Sequence, residues 1–204
     1  MKNLMERSLL AFVVTLFVAV AAHADVFKNP MDASRKPALT QVLSSMTSGQ
    51  VTTGNFKQTK SIKKLNREFV STGTFRIAKS KGIVWNTEKP FPSVMTIDDS
   101  GMEMQAGSGP KQKMSAKDNP VFAEFSRTIQ SVFSGNSEEL EKNFTLYFEQ
   151  GREGFKLGLV PKEAAVRNVI ASIVLEGKNE LQKVTILDGE QNPLVYEFTQ
   201  LKHE

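Results

Sequence analysis

The sequence contains no cysteine. That excludes disulfides, thiolate metal sites, a catalytic thiol and a lipid-modified N-terminal cysteine. Histidine is nearly absent as well: among 204 residues there are only His23 and His203. Histidine-based acid–base catalysis and histidine-rich metal sites therefore have almost nothing to draw on. Neither sign of charge dominates, with 26 Lys plus Arg against 22 Asp plus Glu and a net charge of +4. So weak an excess is no footprint for a nucleic acid. There is no fixed-period repeat, no low-complexity tract and no linker. The unbroken uncharged run from Leu9 to Ala22 is 14 residues, short of the roughly 20 that cross a bilayer as a helix. What remains is an ordinary globular composition, 40% apolar and 24% charged, of a length that suits one domain.

The short run has a purpose of its own. Lys2 and Arg7 precede it, and Ala22-His23-Ala24 follows it as a small-x-small site. This is the three-part pattern of a secretory signal peptide. Residues 1–24 are therefore expected to be removed after Ala24, leaving one domain from Asp25 to Glu204 in the periplasm of a bacterium. A retained N-terminal anchor is the alternative.

Two periods organise the rest. Leu39, Val42, Leu43 and Met46 are spaced for one face of a helix, with Pro37 near its start and Gly49 after its end. From there the period becomes 2. Phe69, Phe75 and Ile77 share one face of a strand. Ile83 and Trp85, then Met95 and Ile97, then Met102 and Met104, continue the alternation. Asp98-Asp99-Ser100-Gly101 and Asp188-Gly189 read as hairpin turns, and Gly107-Ser108-Gly109-Pro110 as a tight turn rather than a phosphate loop. Asn119 to Phe133 breaks the strand pattern. Phe122, Phe125, Ile129 and Phe133 fall on one helical stripe behind an Asn119-Pro120 start. A short helix is expected over Asn136 to Lys142. Alternation then resumes through Phe144–Phe148, Phe155–Leu159, Ala171–Leu175, Val184–Ile186 and Leu194–Phe198. Helix, strands, helix, strands is an α+β order, and about ten or eleven antiparallel strands tend to curl towards a barrel.

Few residues invite catalysis. The adjacent pair Asp98-Asp99 sits in a turn, and Glu138, Glu139 and Glu141 read as the wet face of a short helix. No G-x-S-x-G elbow is present. Lys57, Lys60, Lys63, Lys64 and Arg67 make a basic stretch with two readings, a solvated hairpin or a docking or headgroup patch. The positive signal is apolar. Phe69/Val70, Ile83/Val84/Trp85, Ile170/Ile173/Val174/Leu175 and Leu194/Val195 are apolar on both faces of their strands, where a half-wet sheet alternates cleanly. One face then needs a cover, and the Phe-rich Asn119–Phe133 helix could be that cover. A Phe- and Met-lined concavity beneath it suits a lipid. A plain core is the other reading of the same periodicity.

Several short stretches resemble the LolA family, the periplasmic carriers of outer-membrane lipoproteins. Gly54-Asn55-Phe56-Lys57-Gln58-Thr59 is similar to its early F-x-Q strand. Gly73-Thr74-Phe75-Arg76-Ile77, Val84-Trp85 and Lys89-Pro90 resemble the stretch that follows, and Asp98 to Gly101 stands at its D-G hairpin. The resemblance implies an open, incomplete antiparallel β-barrel with a helical lid over a hydrophobic cavity. It implies acyl-chain binding without catalysis, metal or cofactor. The cavity would be lined by Phe75, Ile77, Trp85, Met95, Met102 and Met104, with Phe122, Phe125, Ile129 and Phe133 on the lid. Where the carriers have an Arg-Pro pair whose Arg latches the lid, this chain has Lys79-Ser80, so Lys79 is the latch candidate, without the guanidinium fork. The chain ends at Glu204, where the carriers extend further. The family's outer-membrane receptor has an N-terminal cysteine, which the composition excludes here.

The implied function is a soluble periplasmic carrier, monomeric, that holds a lipidated protein or another acyl lipid and moves it towards the outer membrane. Inner-membrane donor and outer-membrane acceptor proteins would be its partners, its membrane association would be transient, and no nucleic acid is involved. The rival is a periplasmic scaffold whose apolar groove binds a peptide or protein.

Overall fold

The period-2 pattern after Gly49 becomes a single sheet in the computed structural model, which describes residues 25–46, 49–78, 81–98, 100–118 and 137–204. The strands are β1 (Val51–Ile62), β2 (Arg67–Ala78), β3 (Gly82–Lys89), β4 (Ser93–Asp98), β5 (Gly101–Ala106) and β6 (Gln112–Ser115). They continue with β7 (Phe144–Gly151), β8 (Gly154–Pro161), β9 (Ile170–Gly177), β10 (Leu181–Asp188) and β11 (Pro193–His203). Their order is β6-β5-β4-β3-β2-β1-β11-β10-β9-β8-β7, 11 strands among the described residues. The pairings are antiparallel and β6 and β7 are the two edges, so the barrel is open. Pairing of β1 with β11 brings the two ends of the strand series together at the sheet's centre.

The turns form where short polar side chains replace ladder bonds. Asp98 Oδ1 accepts from the amides of Ser100 at 2.8 Å and Gly101 at 3.2 Å. The Ser100 hydroxyl donates to the same oxygen, and this bond above all holds the Asp98 carboxyl below its ordinary range. Asp188 closes the β10–β11 turn in the same way, accepting from Glu190 N at 2.9 Å and Asn192 N at 2.8 Å.

Residues opposed across a ladder share a face. Phe148, Leu157, Leu175, Val184 and Tyr196 stand opposite one another through β7, β8, β9, β10 and β11. This inner face receives helix α1 (Lys36–Met46), which buries Leu39, Val42, Leu43 and Met46 against it as their spacing predicts. Leu140, from the helix Ser137–Asn143, completes the cluster. Each such aliphatic side chain contributes about 1.5–3 kcal/mol by leaving water. Arg35 donates to the Phe148 carbonyl at 2.9 Å, and Lys36 pairs with Glu141 at 2.9 Å, which fixes the start of α1 over β7.

One step along, the outer face carries a row of alternating charge: Glu149, Lys156, Glu176, Lys183, Glu197 and Lys57, each opposite the next. A one-residue slip would bring this row inside, so it pins the register. Glu176 lies between Lys183 at 3.1 Å and Lys156 at 3.4 Å. Burial raises its carboxyl pKa, but the hydrogen bonds and charges of Lys183 and Lys156 outweigh burial and leave it below the ordinary 4.5. A depressed folded pKa stabilises the fold above pH 4.5, and that contribution is lost as pH falls through the depressed value. Glu176→Gln is therefore expected to cost under about 1 kcal/mol at neutral pH, because the row is solvent-screened. It should also flatten the acid limb of a stability–pH curve measured by urea melts. An unchanged acid limb would remove Glu176 from the account.

The segment before α1 shelters the β7 edge. Met31 N donates to Leu146 O at 2.9 Å and Phe148 N to Asn29 O at 3.0 Å. Val26 and Phe27 lie on the outer face over Gly158, where a Cβ would be 3.0 Å from Val26 Cγ1 and 2.9 Å from Phe27 Cε1. The opposite edge, β6, is four residues long, with Lys111 and Lys113 both paired to Glu103. Short, charged edges resist strand addition.

Candidate functional site

The inner face continues past β1 into a second apolar region that α1 does not cover. Phe75, Trp85, Met95 and Met104 stand in line across β2, β3, β4 and β5. Ile77, Ile83, Ile97 and Met102 form the neighbouring line. The six residues expected to line a cavity thus lie on one face. Phe75 and Ile77 are buried, while Trp85, Met95, Met102 and Met104 are half-buried. The lid residues Phe122, Phe125, Ile129 and Phe133, the latch candidate Lys79 and the leader over 1–24 lie outside the described residues.

The structure adds residues to this wall. Ile83 and Ile97 fill the second line, and Phe56, Tyr196 and Phe198 come from β1 and β11. Ile83, Ile97, Tyr196 and Phe198 were visible as alternating apolar residues in their own strands, and Phe56 as the aromatic of the F-x-Q stretch. Their meeting depends on the β1–β11 pairing, which no local pattern reveals. The Trp85 ring centroid lies 4.6 Å from Phe56, 5.4 Å from Phe75 and 5.3 Å from Tyr196, and Phe75 and Phe198 meet edge-on at 5.2 Å. Gly54 makes room for this cluster, since a Cβ there would be 2.7 Å from Leu201 Cδ2 and 3.0 Å from the Phe75 ring.

Two polar groups interrupt the apolar wall. Burial pushes the Tyr196 phenol up to about 12, so it stays protonated throughout the physiological range. Trp85 Nε1 is buried and has no hydrogen-bond partner among the described residues. An unsatisfied buried donor costs about 1–3 kcal/mol, which a carbonyl oxygen placed against it would recover. The carboxylates offer no comparable focus. Asp98 is engaged in its own turn, and Glu138, Glu139 and Glu141 lie on the helix Ser137–Asn143. Among the described residues no group of three or more His, Asp or Glu could hold a metal ion. Nor, among them, is any helix long and apolar enough to cross a membrane.

Residues 47–204 match the family model described as outer membrane lipoprotein carrier protein LolA. The chain belongs to the LolA family. Its members are periplasmic carriers or binders rather than enzymes. The family motifs now have a structural reason: Phe56 and Gln58, Phe75 and Ile77, and Trp85 are the inward-facing positions of β1, β2 and β3. No curated protein matches the sequence. Among solved structures, a LolA superfamily protein from Nitrosomonas europaea is 8% identical, with a TM-score of 0.48 over 83% of this chain and 93% of its own. A DUF1329 family protein from Desulfovibrio piger is 8% identical, with a TM-score of 0.46 over 82% of this chain and 91% of its own. The lipoprotein LppX of Mycobacterium tuberculosis is 11% identical, with a TM-score of 0.43 over 82% of this chain and 97% of its own.

Proposed function

We propose that this LolA-family chain is a soluble periplasmic carrier that shields the acyl chains of a lipoprotein or another lipidated ligand and moves them towards the outer membrane. The observation that carries the reading is the line Phe75–Trp85–Met95–Met104, an apolar wall in which Trp85, Met95 and Met104 are left half-buried in front of the buried Phe75, beside the core under α1. Exposed acyl chain in water carries about 0.8 kcal/mol per CH₂, so a shuttle must cover it without reacting with it. Phe and Met provide the cover, and no catalytic group is required. Trp85 Nε1, without a partner among the described residues, suits the carbonyl of an acyl ester or amide.

Native mass spectrometry of the protein from a periplasmic extract tests the reading. A discrete added mass that fragments as a lipid or lipopeptide is expected. A bare mass that stays bare after incubation with an acylated peptide would overturn it and leave the peptide- or protein-binding scaffold in its place.

A further inference from the structure

We infer that the β1–β2 hairpin is a membrane-docking element that inserts its tip into an anionic phospholipid surface. The inference needs no residue of the proposed carrier wall.

The hairpin outreaches its neighbour. Pairing of β2 with β3 begins only at Thr72–Lys89, so Arg67 to Ser71 pair with β1 alone. A 3-10 turn, Lys63–Leu65, and a left-handed Asn66 close the tip. On this projection the apolar side chains face water: Leu65 is 60% exposed, Phe69 49% and Val70 46%. Phe69 and Val70 are adjacent in β2, so they point to opposite faces. This corrects one element of the sequence reading. The doubly apolar Phe69/Val70 pair does not mark a buried strand, because both side chains are about half exposed. Phe91, 81% exposed in the β3–β4 turn, lies at the same end of the sheet.

Charge selects the occupant. Lys60, Lys63, Lys64 and Arg67 are exposed on the same hairpin, Lys60 directly opposite Phe69. The acids nearby are few and engaged. Glu68 accepts from Ser61 Oγ at 2.9 Å, Glu190 pairs with Lys64 at 3.0 Å, and Asp188 accepts two backbone bonds in its own turn beside Lys60. Lys63 donates its amide to Asn192 Oδ1 at 3.0 Å, which anchors the tip to the β10–β11 turn. A protein partner covers one face of a ribbon. A fluid interface wets both faces at once, taking Leu65, Phe69 and Val70 to the acyl boundary while the cations remain among the phosphates. Each such cation is worth about a fivefold gain in binding to an anionic surface.

Flotation of the protein from a periplasmic extract with vesicles of phosphatidylethanolamine and phosphatidylglycerol is the test. The protein is expected to float with these vesicles at low salt, less at high salt, and to stay behind with phosphatidylcholine vesicles. Lys63→Gln with Lys64→Gln should weaken flotation by roughly tenfold or more. Phe69→Ser with Val70→Ser should abolish it, with far-UV circular dichroism unchanged. If that pair fails to fold, Leu65→Ser in the turn carries the same expectation. Three results would overturn the inference: no flotation at low salt, equal flotation on phosphatidylcholine, or variants that float undiminished. Lipid found in the protein fraction after flotation reports on the carrier wall instead, so failure of one proposal is distinguishable from failure of the other.

Discussion

Met95→Glu is expected to abolish acyl-ligand binding and leave the fold in place. Met95 stands on β4 between Trp85 and Met104, opposite both, and is half-buried. In the empty protein a glutamate there reaches water and costs little. With an acyl chain laid along the wall, the same carboxylate loses its water and finds no partner in the row of alternating charge, which lies on the outer face of the described strands. Burying an unpaired charge costs several kcal/mol, which lowers affinity on the order of a hundredfold or more. Met95→Leu keeps shape and polarity and should bind as the parent does. The readout is internal: the sequence has one tryptophan, Trp85, within the wall, so its emission follows a titration with an acylated peptide. Near-parental affinity in Met95→Glu would show that the ligand lies elsewhere. Loss of folding would make Met95 part of an ordinary core and end the carrier reading of this wall.

How much of this was legible in the sequence follows from the range of the interactions. The spacing of Leu39, Val42, Leu43 and Met46 gave α1, and Asp98 and Asp188 gave their turns, because each signal is complete within a few residues. The inward parity of Phe75, Ile77, Trp85, Met95, Met102 and Met104 was also local, since period 2 fixes it strand by strand. Phe56, Tyr196 and Phe198 were not placed in the wall, because β1 and β11 meet across nearly the whole chain. The division of the inner face into a part filled by α1 and a part left half-buried was equally hidden. Periodicity states which side is apolar and not what covers it. The hairpin shows the converse: Phe69 and Val70 carry a buried strand's pattern and lie in water, because β3 stops short of them.

That division makes a second large effect predictable. Phe148→Ala is expected to destabilise the fold by about 3–5 kcal/mol, the usual cost of deleting a buried aromatic ring. Phe148 is 2% exposed, stands opposite Leu157 in the cluster beneath α1, and uses both backbone groups to hold the N-terminal segment: its amide donates to Asn29 O, and its carbonyl accepts from Arg35. Little relaxes into the space, since Leu39, Leu43, Leu140, Leu157 and Leu159 around it are themselves fully buried. Against a typical total of about 5–15 kcal/mol, such a loss is a large share. Met102→Ala, in the half-buried wall, should cost much less, because its side chain keeps partial contact with water and forgoes less transfer energy. Urea melts of the two variants side by side give the comparison. A clear excess for Phe148→Ala means that β7–β10 with α1 hold the fold, so β2–β5 can admit and release a ligand without unfolding it. Equal losses would mean that the wall is structural core, and a carrier could not open it at acceptable cost.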